Sequence, residues 1–194
     1  MTKTEIKVGG LGGQGVILCA QIIGKAASIF DSKHATLIQS FGPEARGSAC
    51  SAQVTIADAA IGYPYVTHPD VLVLMSPDAF TQFAPTLKPG GLLLYESELV
   101  TIDPQRMVEG GRAWGVPATR IAEELGRRLV LNIVMVGFFT GVTDVVSLGA
   151  AERAVRSSVP KGTEDLNMRA LMKGYEYGRE LIAKGALAGA GTGN

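Results

Sequence analysis

A glycine-rich segment between a short apolar run and a long helical pattern constrains the fold more than any other feature of this chain. Apolar residues at 6–8 lead into the motif G-x-G-x-x-G at residues 10–15, and apolar residues then recur at helical spacing through residue 30. A strand, a glycine loop and a helix in that order are typical of the first unit of an open α/β sheet. The sequence therefore predicts an α/β protein whose ligand edge begins at this loop.

The remaining chain alternates short apolar runs with helical patterns and then becomes helical. We expect a three-layer, Rossmann-like fold with an open, mostly parallel sheet and a helical C-terminal third. Residues 1–184 are predicted to form a single domain, and the glycine- and alanine-rich residues 185–194 a flexible tail. The expected strands are 35–41, 49–56, 70–75, 91–95 and 112–116, and the expected later helices are 77–83, 119–127, 129–140, 147–157 and 163–184.

The first glycine motif has two interpretations. Its glycines, Gly12, Gly13 and Gly15 with Gln14 between them, allow close backbone approach to a phosphate at a helix N-terminus, or they serve only tight helix–strand packing. A dinucleotide would also need an acidic residue at the end of the second strand to hold the adenosine ribose. That strand ends at residues 39–41 without Asp or Glu, which weakens an NAD or NADP site.

A second glycine cluster follows the second strand. Residues 40–47 read SFGPEARG, and in a parallel sheet this loop emerges at the same edge as the first one. Arg46 between small residues is free to reach a phosphate bidentately, with Ser40 beside it at the strand end. Alternatively, Glu44 and Arg46 pair with each other at the surface.

Composition excludes several classes of protein. The 18 basic and 18 acidic residues cancel, so there is no cationic excess for non-specific nucleic-acid binding. Two cysteines and two histidines cannot build an iron–sulfur cluster or a zinc knuckle from this chain alone. No apolar stretch is long enough to cross a membrane, and no secretory signal opens the chain, so we expect a cytoplasmic protein.

Three blocks together resemble the gamma subunit of 2-oxoacid:ferredoxin oxidoreductases. They are GGLGGQGVILCAQIIGKAA at 9–27, SFGPEARG at 40–47, and ATRIAEELG with LNIVMVG at 118–126 and 131–137. The similarity spans about residues 5–178, and the pairing of the two glycine loops is its most specific part. Ser48 stands where many members continue with another glycine.

The resemblance implies a role inside a larger enzyme. Such complexes oxidatively decarboxylate a 2-oxoacid to an acyl-coenzyme A, with thiamine diphosphate, magnesium and [4Fe-4S] clusters expected in partner subunits only. The expected partners are alpha, beta and ferredoxin-like delta subunits. The substrate class includes 2-oxoglutarate, pyruvate, branched-chain and aryl 2-oxoacids such as phenylglyoxylate, and the acceptor is ferredoxin or NAD.

The resemblance also assigns coenzyme A to this subunit, as a co-substrate rather than a reacting centre. The family's coenzyme-contacting stretches fall on the first glycine loop, on Arg46 and on Asn132, a lone amide in a late apolar helix. Asn132 either contacts the ligand or bonds to nearby backbone. The expected coenzyme-binding residues are Gly12, Gly13, Gln14, Gly15, Ser40, Arg46 and Asn132, and no catalytic or metal-binding residue is expected.

Two other functions stay open from the sequence. One is a free-standing NAD(P)-binding dehydrogenase built on the first glycine motif. The other is a purely structural assembly subunit whose loops pack against partners and bind nothing.

Overall fold

A single six-stranded sheet organises the molecule. The computed structural model describes residues 2–40 and 49–190. Within these residues the strands are β1 Lys3–Gly10, β2 His34–Ser40, β3 Cys50–Ala57, β4 Val71–Leu74, β5 Leu92–Glu96 and β6 Arg112–Val116, and the helices are α1 Val16–Lys25, α2 Pro77–Phe83, α3 Ala118–Glu124, α4 Leu131–Thr143, α5 Leu148–Arg156 and α6 Glu164–Ala190.

The strand order is β2-β3-β1-β4-β5-β6. β1, β4, β5 and β6 are parallel neighbours, whereas β3 is antiparallel to both β1 and β2. β2 therefore points the same way as β1, and the sheet is mostly parallel, as predicted. In the Rossmann order the second strand lies directly beside the first. Here β3 separates them, so the Rossmann-like order is limited to β1 and β4–β6.

Alternate residues of the central strands face two different apolar layers. Ile6 and Val8 of β1 pack with α1, α4 and the other C-terminal helices, and Leu72 and Leu74 of β4 pack against α2 on the opposite face. β4 is buried along its whole length, as expected for a strand covered on both sides. Helices on both faces of one sheet form the three-layer α/β architecture that the sequence predicts.

Side chains at the helix starts determine where two of these helices begin. The Ser76 hydroxyl accepts a hydrogen bond from the Ala79 N–H and Pro77 occupies the first position of α2. The Ser147 hydroxyl accepts from the Ala150 N–H at the start of α5 in the same way. Both caps were predicted, because capping depends on residues within one turn.

Several predicted boundaries differ from the structure, and the largest differences are at the ends of two helices. The first helix was expected over residues 14–30, but α1 ends at Lys25 and the chain continues as a π-helical turn, Ala26–Phe30. The last helix extends beyond its predicted end at Lys184 to Ala190, and the flexible tail expected at residues 185–194 stays a prediction. β2 ends at Ser40, and Phe41, expected as its last residue, lies outside the described residues.

α4 is the central helix of the C-terminal third. Residues 131–141 are all buried, and the helix packs along α6. A helix that is apolar on every side belongs in the interior rather than on a surface. Glycines are at the contact with α6, which lets the two backbones approach closely: Gly137 and Gly141 on α4, and Gly174 and Gly178 on α6.

Candidate functional site at the carboxyl edge of the sheet

The loop between β1 and α1 owes its shape to glycines in the left-handed region. Gly13 has φ +89° and Gly15, the N-cap of α1, has φ +74°. Other residues adopt such angles only with strain. A hydrogen bond from the Gln14 N–H to the Leu11 carbonyl closes the loop at 3.2 Å. The first turn of α1 therefore begins directly at the end of β1.

Gln14 holds the loop in place from inside. Its Oε1 accepts a hydrogen bond from the Leu11 N–H at 2.7 Å, and its Nε2 donates to the Met75 carbonyl at 2.8 Å. The side chain thus ties the loop to the residue that follows β4. Gln14 was predicted to contact a ligand, and that contact stays a prediction; in the structure its amide is bonded at both ends to protein and positions the loop.

Asn132 lies against Gly15 from the first turn of α4. Its Nδ2 donates to the Gly15 carbonyl at 3.4 Å, and the side chain is 3% exposed. A Cβ at residue 15 would overlap the Asn132 amide, so only glycine fits here. Of the two interpretations of Asn132, bonding to nearby backbone is observed, and contact with a ligand stays a prediction. The contact also brings the N-termini of α1 and α4 together.

Gly12 and Gly13 form the open side of the loop. Both are exposed, and no atom outside their chain neighbours lies within 4 Å of where a Cβ would project. The backbone beside the α1 N-terminus is therefore accessible. Helix N-termini carry partial positive charge and free N–H groups, so this surface can bind an anion such as a phosphate.

Ser40, the last described residue before the second glycine cluster, lies at the same edge. Ser40 pairs in register with Ser51 of β3, and Ser51 pairs with Gly9 of β1. Ser40 is thus two strand spacings from the end of β1, about 10 Å. Arg46 lies outside the described residues, as does the proposed Glu44 pairing.

A buried carboxylate at this edge was not singled out from the sequence. Glu96, the last residue of β5, is fully buried. Its two oxygens accept hydrogen bonds from the N–H groups of Glu98 and Leu99 at 3.1 and 2.6 Å and from that of Thr119, in the first turn of α3, at 3.2 Å. Glu96 therefore joins the β5 loop to the start of α3. The available signal was an acidic residue directly after an apolar strand.

The titratable groups near the loop offer little for acid–base chemistry. Cys50 lies opposite Gly10 in the sheet register, and burial raises the pKa of its thiol. His34 opens β2 and His68 precedes β4, so both exposed imidazoles lie at the opposite edge of the sheet. Among the described residues, no group of three His, Cys, Asp or Glu side chains could hold a metal ion.

Comparison with known proteins identifies the family. The model of the pyruvate ferredoxin/flavodoxin oxidoreductase family matches residues 5–177. The chain belongs to this family. It is 44% identical over 180 residues to the 2-oxoglutarate synthase subunit KorC of Methanocaldococcus jannaschii, an alignment that covers 92% of this chain and 96% of the relative. The resemblance seen in the sequence is confirmed, and the chain is a gamma-type subunit of a 2-oxoacid:ferredoxin oxidoreductase.

Solved structures show the same fold. The gamma subunit of the keto/oxoacid ferredoxin oxidoreductase from Geobacter sulfurreducens aligns with a TM-score of 0.80 and 38% identity, over 91% of this chain and 99% of that one. The 2-oxoglutarate:ferredoxin oxidoreductase of Magnetococcus marinus aligns with a TM-score of 0.81 and 21% identity. That match covers 93% of this chain but 32% of the other, so there the same fold is one part of a longer polypeptide.

The structure also tests what the sequence predicts about membrane-spanning helices and about the two cysteines. No described helix combines the length and the apolar character that crossing a bilayer requires. Both cysteines are free thiols, with Cys19 in the core, as expected from its apolar flanks.

Proposed function

We propose that this gamma-type subunit forms part of the coenzyme A site of a 2-oxoglutarate oxidoreductase and supports assembly, while the chemistry takes place in partner subunits. The family uses coenzyme A as a co-substrate. The substrate assignment rests on the relative at 44% identity, which is named a 2-oxoglutarate synthase subunit. Thiamine diphosphate, magnesium and [4Fe-4S] clusters are assigned to the alpha, beta and ferredoxin-like delta partners, with ferredoxin as the acceptor.

One observation carries the proposal: the N-termini of α1 and α4 converge at Gly15 and Asn132 beside the open backbone of Gly12 and Gly13. Coenzyme A carries a pyrophosphate and a 3′-phosphate, and two helix N-termini provide partial positive charge for one of them. The solved Magnetococcus marinus enzyme, which shares this fold, holds 2-oxoglutarate, coenzyme A and succinyl-CoA. Arg46 and Ser40, at or beyond the end of β2, are proposed to contact the second phosphate.

The position of β2 favours this ligand over a dinucleotide. A ribose-binding carboxylate would lie at the end of the strand that follows the first helix, and that strand would pair directly with β1. Here the strand after α1 is β2, and β3, which runs in the opposite direction, separates it from β1. β2 itself ends at Ser40, which is neutral. Coenzyme A does not require such a carboxylate.

Gly12→Ala in the assembled complex tests the proposal. A Cβ at residue 12 meets nothing within 4 Å in the protein, so the substitution leaves the loop unstrained. A bound phosphate would lose its close approach to the backbone, and the KM for coenzyme A should rise about tenfold or more, ~1.4 kcal/mol. Gly149→Ala in α5, where a Cβ also meets nothing, is the matched control. An unchanged KM in Gly12→Ala contradicts coenzyme binding at this loop.

Arg46→Ala separates coenzyme binding from a purely structural role. A lost charge-assisted bond to phosphate is expected to raise the KM for coenzyme A roughly 10- to 150-fold with the complex intact. The isolated chain should show no turnover of any 2-oxoacid and no binding of NADH. If Arg46→Ala weakens assembly and leaves the KM for coenzyme A unchanged, the result supports a role of Arg46 in assembly and contradicts its contact with coenzyme A.

A further inference from the structure

The connection between β3 and β4 presents a pair of tyrosines at the edge of the sheet opposite the glycine loop. The chain crosses the sheet there and is anchored at both ends. At its start the Asp58 N–H donates to the Thr2 carbonyl at 3.3 Å, and at its end the buried Val66 donates its N–H to the Gln53 side chain at 2.8 Å. The segment between these anchors is therefore held against the sheet.

Tyr63 and Tyr65 project from this segment into solvent. Their side chains are 62% and 56% exposed, and they account for two of the four large apolar residues that are this exposed among the described residues. The ring centroids are 5.5 Å apart with the planes tilted by 54°. We call Tyr63, Pro64 and Tyr65 the tyrosine ridge. Two rings packed on each other lose little further freedom on binding, which makes them suitable contact residues.

Hollows flank the ridge on both sides. One, of ≈ 210 Å³, lies between Tyr63 and the start of β1 at Thr2 and Lys3, and its remaining lining is apolar: Ala57, Ala59, Ala60, Ile61 and Gly62. The other, of ≈ 610 Å³, lies between the two tyrosines and Pro89. A ridge between two hollows has a shape into which the side chains of another protein can pack.

The charges around the ridge neutralise each other. Lys3 pairs with Glu5, and Lys88 pairs with Asp70 at 2.8 Å. Each of these two pairs is neutral, so neither presents an unpaired cation to a phosphate or an unpaired carboxylate to a basic segment. An aromatic centre with a polar, balanced rim is the composition of protein–protein contacts.

We propose that the tyrosine ridge is a docking surface for another subunit of the same oxidoreductase, which covers it with a neutral, apolar strip. The occupant follows from family membership: the chain is one subunit of a multi-subunit enzyme, and this ridge is an aromatic surface with hollows for partner side chains. Tyr63 borders Thr2 and Lys3 at the start of β1, whereas the glycine loop follows Gly10 at the other end of that strand. Docking at the ridge thus leaves the loop accessible.

The test co-expresses the tagged chain with the remaining subunits of its oxidoreductase and measures their retention. Tyr63→Ala together with Tyr65→Ala should weaken subunit binding at least about tenfold, because exposed aromatics are the residues on which contacts most depend. Tyr63→Phe with Tyr65→Phe keeps the rings and should retain the partners. Because the rim is neutral, retention should change little between about 0.1 M and about 1 M salt.

Ile29→Ala provides the matched control. Ile29 is 63% exposed, about as much as Tyr63, but lies in the turn after α1, far along the chain from the ridge. Its replacement should leave subunit retention at the wild-type level. The KM for coenzyme A, measured at subunit concentrations that restore assembly, should be unchanged in the double alanine variant. Subunit retention and the KM for coenzyme A therefore test the two proposals separately, so that one can be contradicted while the other is supported.

Two results would overturn the proposal. One is wild-type retention of every partner subunit by the double alanine variant. The other is a dimer of the isolated wild-type chain that the double variant converts to monomers, since the ridge would then bind a second copy of this chain.

Discussion

Gly137 of α4 and Gly174 of α6 lie face to face, each against a backbone carbonyl of the other helix. A Cβ at Gly137 would overlap the Leu171 carbonyl, and one at Gly174 would overlap that of Val134. The backbone on each helix thus fills the space that a side chain would need on the other. The closest helix contact in the C-terminal third therefore depends on two residues without side chains.

Gly137→Ala or Gly174→Ala is expected to lower the free energy of unfolding by about 1–3 kcal/mol or more, because the added methyl group forces the two helices apart. Urea unfolding of the full chain measures the change. Gly149→Ala, in α5, is the control: it meets no atom within 4 Å and should be neutral or stabilise by up to about 1 kcal/mol. Equal effects of the three substitutions would refute the close packing of α4 on α6.

Glu96→Gln should destabilise the protein by about 1.5–3 kcal/mol. The amide of glutamine has one acceptor oxygen and one donor nitrogen, whereas the buried carboxylate accepts from three N–H groups on two elements. Glu98→Gln is the matched substitution at an exposed ion pair with Arg120 and should change the free energy by no more than about 1 kcal/mol. Thermal or urea unfolding of both variants distinguishes the two sites.

Gly15→Ala and Asn132→Ala should be coupled. Gly15→Ala introduces both left-handed strain and an overlap with the Asn132 amide. Removing that amide relieves the overlap but not the strain, so the double variant should be more stable than the sum of the two single changes predicts, by about 0.5–3 kcal/mol. A double-mutant cycle on the free energy of unfolding measures this coupling. Strict additivity would show that the two residues do not touch.

Cys19 should make the protein less stable at high pH. Burial raises the pKa of its thiol to about 12 from an ordinary value of 9.0. Between these two pH values unfolding releases a proton from the thiol, so the free energy of unfolding falls as pH rises. The contribution of Cys19 to that free energy is fully present below pH 9.0 and declines toward pH 12 by ~1.4 kcal/mol per pH unit.

The measurement compares unfolding of wild type and Cys19→Ala at pH values from about 8 to about 10. The free energy of the wild type should fall more steeply than that of the variant. Cys50→Ala, at a partly exposed thiol, is the control and should keep most of the wild-type slope. Parallel pH profiles for wild type and Cys19→Ala would contradict a buried neutral thiol.

Features that depend on neighbouring residues were predicted well. Ser76 and Ser147 cap α2 and α5, and β6 has both predicted ends, Arg112 and Val116. The glycine loop was placed between a strand and a helix because G-x-G-x-x-G is itself a local pattern. Caps, turns and strand ends depend on a few adjacent residues, so a single sequence contains the information for them.

Features that depend on distant partners were not predicted in the same detail. The sequence did not show that β3 lies between β1 and β2 and runs against both, because strand direction and order depend on pairing across the sheet. The bonds of Gln14 to Met75 and of Asn132 to Gly15 were not assigned, since each joins residues far apart in the chain. The contact between the glycines of α4 and α6 was not predicted, since it also joins residues far apart in the chain.

By itself, the sequence determined the α/β class, the first glycine loop and the family, because each is carried by contiguous residues with local conformational preferences. Tertiary structure alone decided what those residues contact. It brought the N-termini of α1 and α4 together and turned Gln14 toward the protein interior. It also left Tyr63 and Tyr65 exposed at the opposite edge. Such contacts depend on the packing of the whole chain around one core, which no local pattern encodes.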